Sequence, residues 1–300
     1  MHKIIQAGKN PATPRTKEEL DLYYFYYLKG YSLKEISLLF HTDAGYQLNK
    51  YGYKLRNHRE NMIYRRSVNK SNSKKLNFKF ENISNDTEAY ILGIWYSDGW
   101  VNSSQAGITL HKDDKKALEK IQEYISKELS LKLVRENAYK LTVSSMEFSK
   151  NLINLGCVRG KTYKQYNLPK INEKLLPSFI RGYFDGDGSV YMDRKYLRVN
   201  ICSINKNFLM EIQNILKNNN IESTINEENR TGKTYKLPNA KKASNCVNMY
   251  RLFIRKTEEL KKLYQYLYTN STIHFDRKYD KFKYYVNTVL NSDINKSESA

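Results

Sequence analysis

Cysteine is scarce in this chain and poorly spaced for cross-linking. Cys157, Cys202 and Cys246 are its three, an odd number with no CxxC pair, which excludes a disulfide framework and a zinc ribbon. They read as reduced, mostly buried thiols. The five histidines (His2, His41, His58, His111, His274) are just as scattered, so no HExxH or His-rich nuclease site can be assembled and a zinc enzyme is not expected. No stretch approaches the ~20 consecutive apolar residues of a membrane span. The first residues, MHKIIQAGKNPATPRTKEEL, lack the apolar core of a signal peptide. The expectation is a soluble intracellular protein of cytoplasm, nucleoid or organelle matrix, not secreted. Acidic residues are also short: 31 Asp and Glu against 51 Lys and Arg leave a net charge of +20. That balance fits a polyanionic partner, nucleic acid first. An anionic membrane ranks lower, because no strongly amphipathic basic helix is evident. Abundant Asn, Lys, Ile and Tyr would also follow from an AT-rich coding sequence, so composition alone carries little.

Three hundred residues, 40% of them apolar, suffice for one large domain or two to three small ones with real cores. Residues 1–79 hold 16 basic and 6 acidic side chains, half the net charge in about a quarter of the chain, which suggests a separate module. Within it a helix is expected from Lys17 to Lys29, stopped by Gly30. A second opens at Ser32, whose spacing to Glu35 makes a capping box; Leu33, Ile36 and Phe40 form its apolar face. HTDAG makes a turn, and a third helix is expected from Ala44 to Arg56. The pattern resembles a helix-turn-helix, with Tyr46, Gln47, Lys50, Lys54 and Arg56 on the DNA-facing third helix. A three-helix bundle that only packs is the alternative. From Arg56 to Lys79 eight basic residues meet one acid, Glu60. This run, with Arg65 and Arg66, reads as an extended linker tracking phosphates, or as a merely solvated one.

From Asn82 onward helix and strand signals alternate, and one unit occurs twice. ILGIWYSDGWV (91–101) returns as IRGYFDGDGSV (180–190), identical at five of eleven positions. Each copy is followed by two strands, a helix, two more strands and a helix. Alternation in QAGITLHK and AYKLTVSS sets Thr109, His111 and Lys140 opposite an apolar face. YLRVNICS and MYRLFIRK do the same for Arg198, Asn200, Arg251 and Arg255. Such strands fit antiparallel sheets with helices on one face and a wet, basic face on the other.

The two copies resemble the LAGLIDADG motif of homing endonucleases. The resemblance implies an α+β fold of two pseudo-symmetric αββαββα halves, with antiparallel DNA-binding sheets and two packed motif helices. The small all-α helix-turn-helix domain would precede them. It also implies that the final acid of each motif, Asp98 and Asp187, binds the divalent metal that cuts DNA, and that two strand cuts cross the minor groove. The residues allow this. Gly93 and Ser97, and Gly182 and Gly186, are small residues four apart that let two helix backbones approach. An acid just past each brings two carboxylates together, which repel unless a cation lies between them. Mg²⁺, or Mn²⁺, suits a site of few carboxylates, waters and phosphate oxygens. Gly99 and Gly188 are expected to make the tight turns and to leave backbone near the metal.

The expected organisation is a helix-turn-helix at 1–57, a basic linker at 58–81, half-domains at 82–170 and 171–290, and a disordered tail at 291–300. The partner is double-stranded DNA, with intron RNA a second candidate and a monomer the expected state. Tyr96 stands where the second copy has Asp185, and Arg181 replaces a small residue beside Gly182, so that it either loosens the packing or points away. Lys112, His111, Arg198 and Lys278 are candidates for an assisting group. One of Asp113 and Asp114 is expected to cap the following helix; Trp95, Trp100 and Phe184 read as core. A site-specific endonuclease is the leading function. A non-catalytic regulator derived from one, or a maturase aiding splicing, are the other classes. An intein is not expected, since the chain starts at Met1 and ends NKSESA.

Overall fold

The computed structural model describes residues 14–57, 60, 61, 64, 74–160, 164, 166–194, 196–235 and 244–297. The chain divides into two units, Met1–Ser73 and Lys74–Ala300.

In the first unit, α1 (Lys17–Leu28), α2 (Leu33–Phe40) and α3 (Ala44–Lys50) each begin on a side-chain cap. Thr16 with Glu19, and Ser32 with Glu35, form reciprocal capping boxes that satisfy orphan N–H groups. Asp43 accepts from the Tyr46 N–H. Leu20, Tyr23, Tyr27, Ile36, Ala44 and Leu48 form the core. α3 ends at Lys50, well before Arg56, because the chain turns through Gly52 at φ +75° and Tyr53 N–H donates back to the Leu48 carbonyl.

The second unit repeats one plan. In its first half α4 (Asp86–Ser97) leads into β1 (Gly99–Val101), β2 (Ala106–His111), α5 (Lys115–Ile125), β3 (Leu131–Arg135), β4 (Ala138–Val143) and α6 (Met146–Asn154). In its second half α7 (Leu176–Asp187) leads into β5 (Gly188–Asp193), β6 (Tyr196–Ser203), α8 (Lys206–Asn218) and β7 (Thr224–Glu228). A two-stranded ribbon, β8 (Thr234–Tyr235) with β9 (Ser244–Asn245), then precedes β10 (Met249–Ile254) and α9 (Thr257–Tyr268). The sheets have matching antiparallel orders, β1-β2-β4-β3 and β5-β6-β10-β7, so each half is an αββαββα unit. A last helix, α10 (Asp276–Ser297), follows the second half alone.

Register confirms the alternation read from sequence. Thr109 pairs with Lys140, Arg251 with Cys202 and Phe253 with Asn200, so these side chains share the face opposite the core residues Ile108, Leu141, Val199, Ile201, Leu252 and Ile254. Two boundaries differ from expectation. Residues 74–81 are not linker: Phe78 and Phe80 are buried, and Phe80 stands edge-on to Trp95 and Phe148, because aromatic area of that size is worth burying. Nor do residues 291–297 form a disordered tail. α10 continues through them to Ser297, as no Gly or Pro after Asp276 interrupts it.

Candidate functional site

The two motif helices are nearly all core, and their contact depends on absent side chains. A Cβ on Gly93 would lie 2.1 Å from the Phe179 carbonyl oxygen, and one on Gly182 would lie 2.1 Å from that of Tyr90. Tyr90 and Phe179 occupy the same place in the two repeats, so the contact is a pseudo-two-fold one. The helices run the same way, since Tyr90 meets Gly182 at one level and Ser97 and Asp98 meet Gly186 at the next. Their C-terminal ends therefore finish side by side.

Asp98 caps α4, its N–H donating to the Ile94 carbonyl, and Asp187 is the last residue of α7. Both are half-buried. A Cβ on Gly186 would sit 2.6 Å from Asp98 Oδ2, which puts the first carboxylate against the residue just before the second acid. Gly99 and Gly188 are not left-handed turns. Gly188 is extended at φ −91°, ψ 164°, and Gly99 also lacks a positive φ. They are glycines for space: a Cβ would fall 2.6 Å from the Trp95 carbonyl oxygen at Gly99 and 2.4 Å from that of Phe184 at Gly188.

Among the described residues no group of three His, Cys, Asp or Glu could hold a metal ion. Two carboxylates at a half-exposed helix end, with no side chain at Gly186 between them, fit a hard cation that takes its other ligands from water or a bound phosphate.

The sixth motif position differs between the halves with consequence. Tyr96 donates to the Leu155 carbonyl at 2.6 Å. Asp185 is fully buried and accepts from Tyr90 Oη at 2.8 Å and from the Phe275 N–H at 2.9 Å. Burial pushes its carboxyl up to about 7, against the lowering effect of those donors and of Lys278 and Arg181. Arg181 lies over the Tyr90 ring of α4, 5.3 Å from its centroid, and reaches past it to donate to the Leu267 carbonyl at 2.8 Å and the Ile273 carbonyl at 3.2 Å. Lys278, on α10, is buried with its ammonium donating to the carbonyls of Phe184 (2.9 Å), Asp185, Gly186 (3.3 Å) and Gly188 (2.6 Å). Burial pushes its amine down to about 8. Asp114 occupies the N-cap position of α5, as expected for one of the two acids, but makes no side-chain cap bond. Asp114 instead accepts from Arg277 Nε at 2.9 Å, and Lys116 pairs with Asp276 at 2.9 Å. The start of α10 thus reaches both halves.

The other sequence candidates scatter. Tyr46 and Lys50 are exposed on α3, with the ammonium 5.8 Å from the ring centroid. Gln47 faces the core, fully buried. Lys54 is exposed beyond the helix. Arg56 stacks on Tyr27 and Tyr64, 4.4 and 3.7 Å from their centroids, and donates to the Tyr27 carbonyl, so it holds the unit together. Arg65 and Arg66 lie outside the described residues. On the first sheet Thr109 and Lys140 share the outer face with Trp100, the Lys140 ammonium 4.8 Å above its ring. His111 Nδ1 accepts from the Asp113 N–H, and Lys112 is exposed. On the second, Asn200 is buried, Arg198 pairs with Asp193, Arg251 pairs with Glu228, and Arg255 lies over Phe253. Of the cysteines, Cys157 is buried, while Cys202 and Cys246 are half-buried; Cys202 Sγ–H donates to the Asp187 carbonyl at 3.0 Å.

Residues 175–293 match the family model described as a LAGLIDADG-like domain. The second of the two repeats is thus similar to a LAGLIDADG-like domain. The match takes in α7, Asp187 and the α10 segment with Lys278. An uncharacterized protein, MJ0314 of Methanocaldococcus jannaschii, is 26% identical over 166 residues, 51% of this chain and 60% of that protein; the matched region thus spans about 60% of the relative's length. Among solved structures, I-SmaMI bound to DNA superposes with a TM-score of 0.48 at 11% identity, covering 68% of this chain and 91% of that one. I-DmoI with DNA and Mn gives 0.41 at 18%, covering 63% and 98%. Full-length WhiA from Thermatoga maritima gives 0.41 at 17%, covering 74% and 69%. The matched segment covers the second of the two repeats. Of the side chains gathered at the end of its motif helix, Lys278 was one of four assisting candidates in the sequence, while the contacts of Asp185 and Arg277 there had no signal in the spacing. Lys278 carried only the weak signal of a basic residue in a mixed aromatic helix.

Proposed function

We propose that this protein is a site-specific DNA endonuclease that makes double-strand breaks by divalent-metal-dependent phosphodiester hydrolysis, one acid from each motif helix serving the site. The supporting observation is the convergence of Asp98 and Asp187 at the joint end of two glycine-packed helices. Asp98 Oδ2 lies against Gly186, the residue before Asp187, and carboxylates brought to one place favour a cation between them. Asp98 and Asp187 would hold Mg²⁺ or Mn²⁺, which when bound activates water and neutralises charge developing on the phosphate. The chain does the rest. Gly93 and Gly182 bring the acids close, Ser97 braces the end of α4 through bonds to the Gly93 and Ile94 carbonyls, and the outer sheet faces offer Lys140, Arg198, Arg251 and Arg255 to phosphates and base edges. The first unit reads as a helix-turn-helix that extends the DNA surface, with Tyr46 and Lys50 outward on α3 and Gln47 removed from that role. The host element, intron-borne or free-standing, is part of the same proposal.

Incubation with a randomised DNA library in Mg²⁺, followed by mapping of the new ends, tests it. Recurrent double-strand ends within one sequence motif are expected. Tight, sequence-selective binding with no ends at any divalent ion would replace the nuclease with a DNA-binding regulator.

A further inference from the structure

The two halves share a plan but differ in reach. Asp98 directly precedes the β1–β2 hairpin and Asp187 the β5–β6 hairpin, so the tip of each hairpin is its point farthest along the strands from the acid. The registers coincide at the root, where Gly99 faces Ile108 and Gly188 faces Ile201, and again where Val101 faces Ala106 and Val190 faces Val199. There the first hairpin stops. Its turn, NSSQ, carries no charge and folds on itself, Asn102 Oδ1 accepting from the N–H groups of Ser104 and Gln105. The second continues through three more pairs, Tyr191 with Arg198, Met192 with Leu197 and Asp193 with Tyr196, before it turns at Arg194, φ +56°. Alternation puts Tyr191, Asp193, Tyr196 and Arg198 on the outer face, while Leu197 on the other face is buried. Tyr191 is 45% exposed, Tyr196 49% and Met192 53%. Tyr, Met and Arg are side chains that interfaces favour, and three large ones exposed within six residues make a contact surface. The tip is held in shape, since Arg198 Nε donates to Asp193 at 3.3 Å and its guanidinium lies 5.7 Å from the Tyr196 ring centroid. Residues 191–198 carry three basic side chains and one acid, which suits DNA: cations for phosphates, rings for base edges and methyl groups. A second copy of the chain would bring like charges together.

We propose that the tip of the β5–β6 hairpin, through Tyr191 and Tyr196, specifies base pairs at the outer end of the arm held by the second half, pairs for which the first half has no counterpart. Three residue pairs add about 10 Å of strand, the rise of about three base pairs of duplex. The target is therefore asymmetric, with one arm about three base pairs longer than the other. This rests on the DNA-binding part of the reading above and is independent of whether the chain cuts.

The test uses the full chain and a randomised DNA library, with bound sequences selected and aligned, so that no cutting is needed. The variant joins Tyr191→Ala and Tyr196→Ala; both side chains are exposed, and its melting temperature is expected to match wild type. Its selected site should be about three base pairs shorter at one end and unchanged at the other. A second measurement uses the wild-type protein alone: replacing those outermost pairs in a selected site should weaken binding at least about tenfold, and the same replacement should change binding by the double variant less than about twofold. A double variant that keeps the outermost preference, one that loses preference at both ends, or a wild type indifferent to the outermost pairs overturns the proposal. So does a double variant whose only change is in oligomeric state, which would assign the tip to a second copy. A wild type that selects such a site and never cuts removes the endonuclease reading and leaves this one in place.

Discussion

A methyl group at Gly93 or Gly182 would stand 2.1 Å from a carbonyl oxygen of the opposite helix, a distance no side-chain rotation can relieve. Gly93→Ala is expected to destabilise the second unit by about 3 kcal/mol in denaturant titration, at the upper end of overpacking costs. A change under ~0.5 kcal/mol would mean that the helices are further apart than described. Gly45→Ala is the contrast. It lies inside α3, where a Cβ meets only Leu33 and Asp43 at 3.5 Å or more, so the helix should gain up to ~1 kcal/mol from the better helix former. The pairing of Gly93 with Gly182 was legible in the sequence because small residues recurred at the same spacing in both copies. The reason for Gly99 and Gly188 was not. Asp-Gly after a helix suggests a left-handed turn, yet the structure has an extended residue whose side chain would hit the preceding turn.

The helices and strands that carry the acids were readable from hydrophobic period and turn residues, since both copies obey the same alternation on faces buried by the same kind of helix. Side chains that act across long sequence separations were not. Nothing local to FDRKYDKF reveals that Lys278 ends against α7, 90 residues or more earlier, or that Asp114 serves Arg277 rather than α5. Gln47 shows the same limit: a three-helix pattern gives the element but leaves its rotation about the axis to be set by the core. The segment between α9 and α10 carries its own pH dependence. His274 stacks on Tyr279 at 4.0 Å, and burial holds its imidazole below the usual 6.5. A base depressed on folding binds protons better when unfolded, so stability is complete above pH ~6.5 and is lost as pH falls below it. Melting temperatures recorded from pH 8 to 5 should fall more steeply for wild type than for His274→Gln. Parallel curves would remove His274 as a contributor.

The chain has a net charge of +20, and residues 1–79 hold half of it. If the first unit binds DNA phosphates, removing residues 1–73 should weaken DNA binding and flatten the dependence of log K on log salt by about one unit for each phosphate no longer neutralised. An unaltered slope would show that the unit does something other than bind DNA. The second unit keeps its core in that truncation, because Phe78 and Phe80 lie on its side of the boundary. The decisive measurement concerns the paired acids. Asp98→Asn and Asp187→Asn, each assayed in Mg²⁺ on plasmid bearing the mapped site, should lose double-strand cutting by at least about 100-fold and keep DNA affinity within a few-fold, as EDTA should do to wild type. A fully active Asp98→Asn or Asp187→Asn, or cutting that persists in EDTA, would contradict a metal site shared between the ends of the two motif helices.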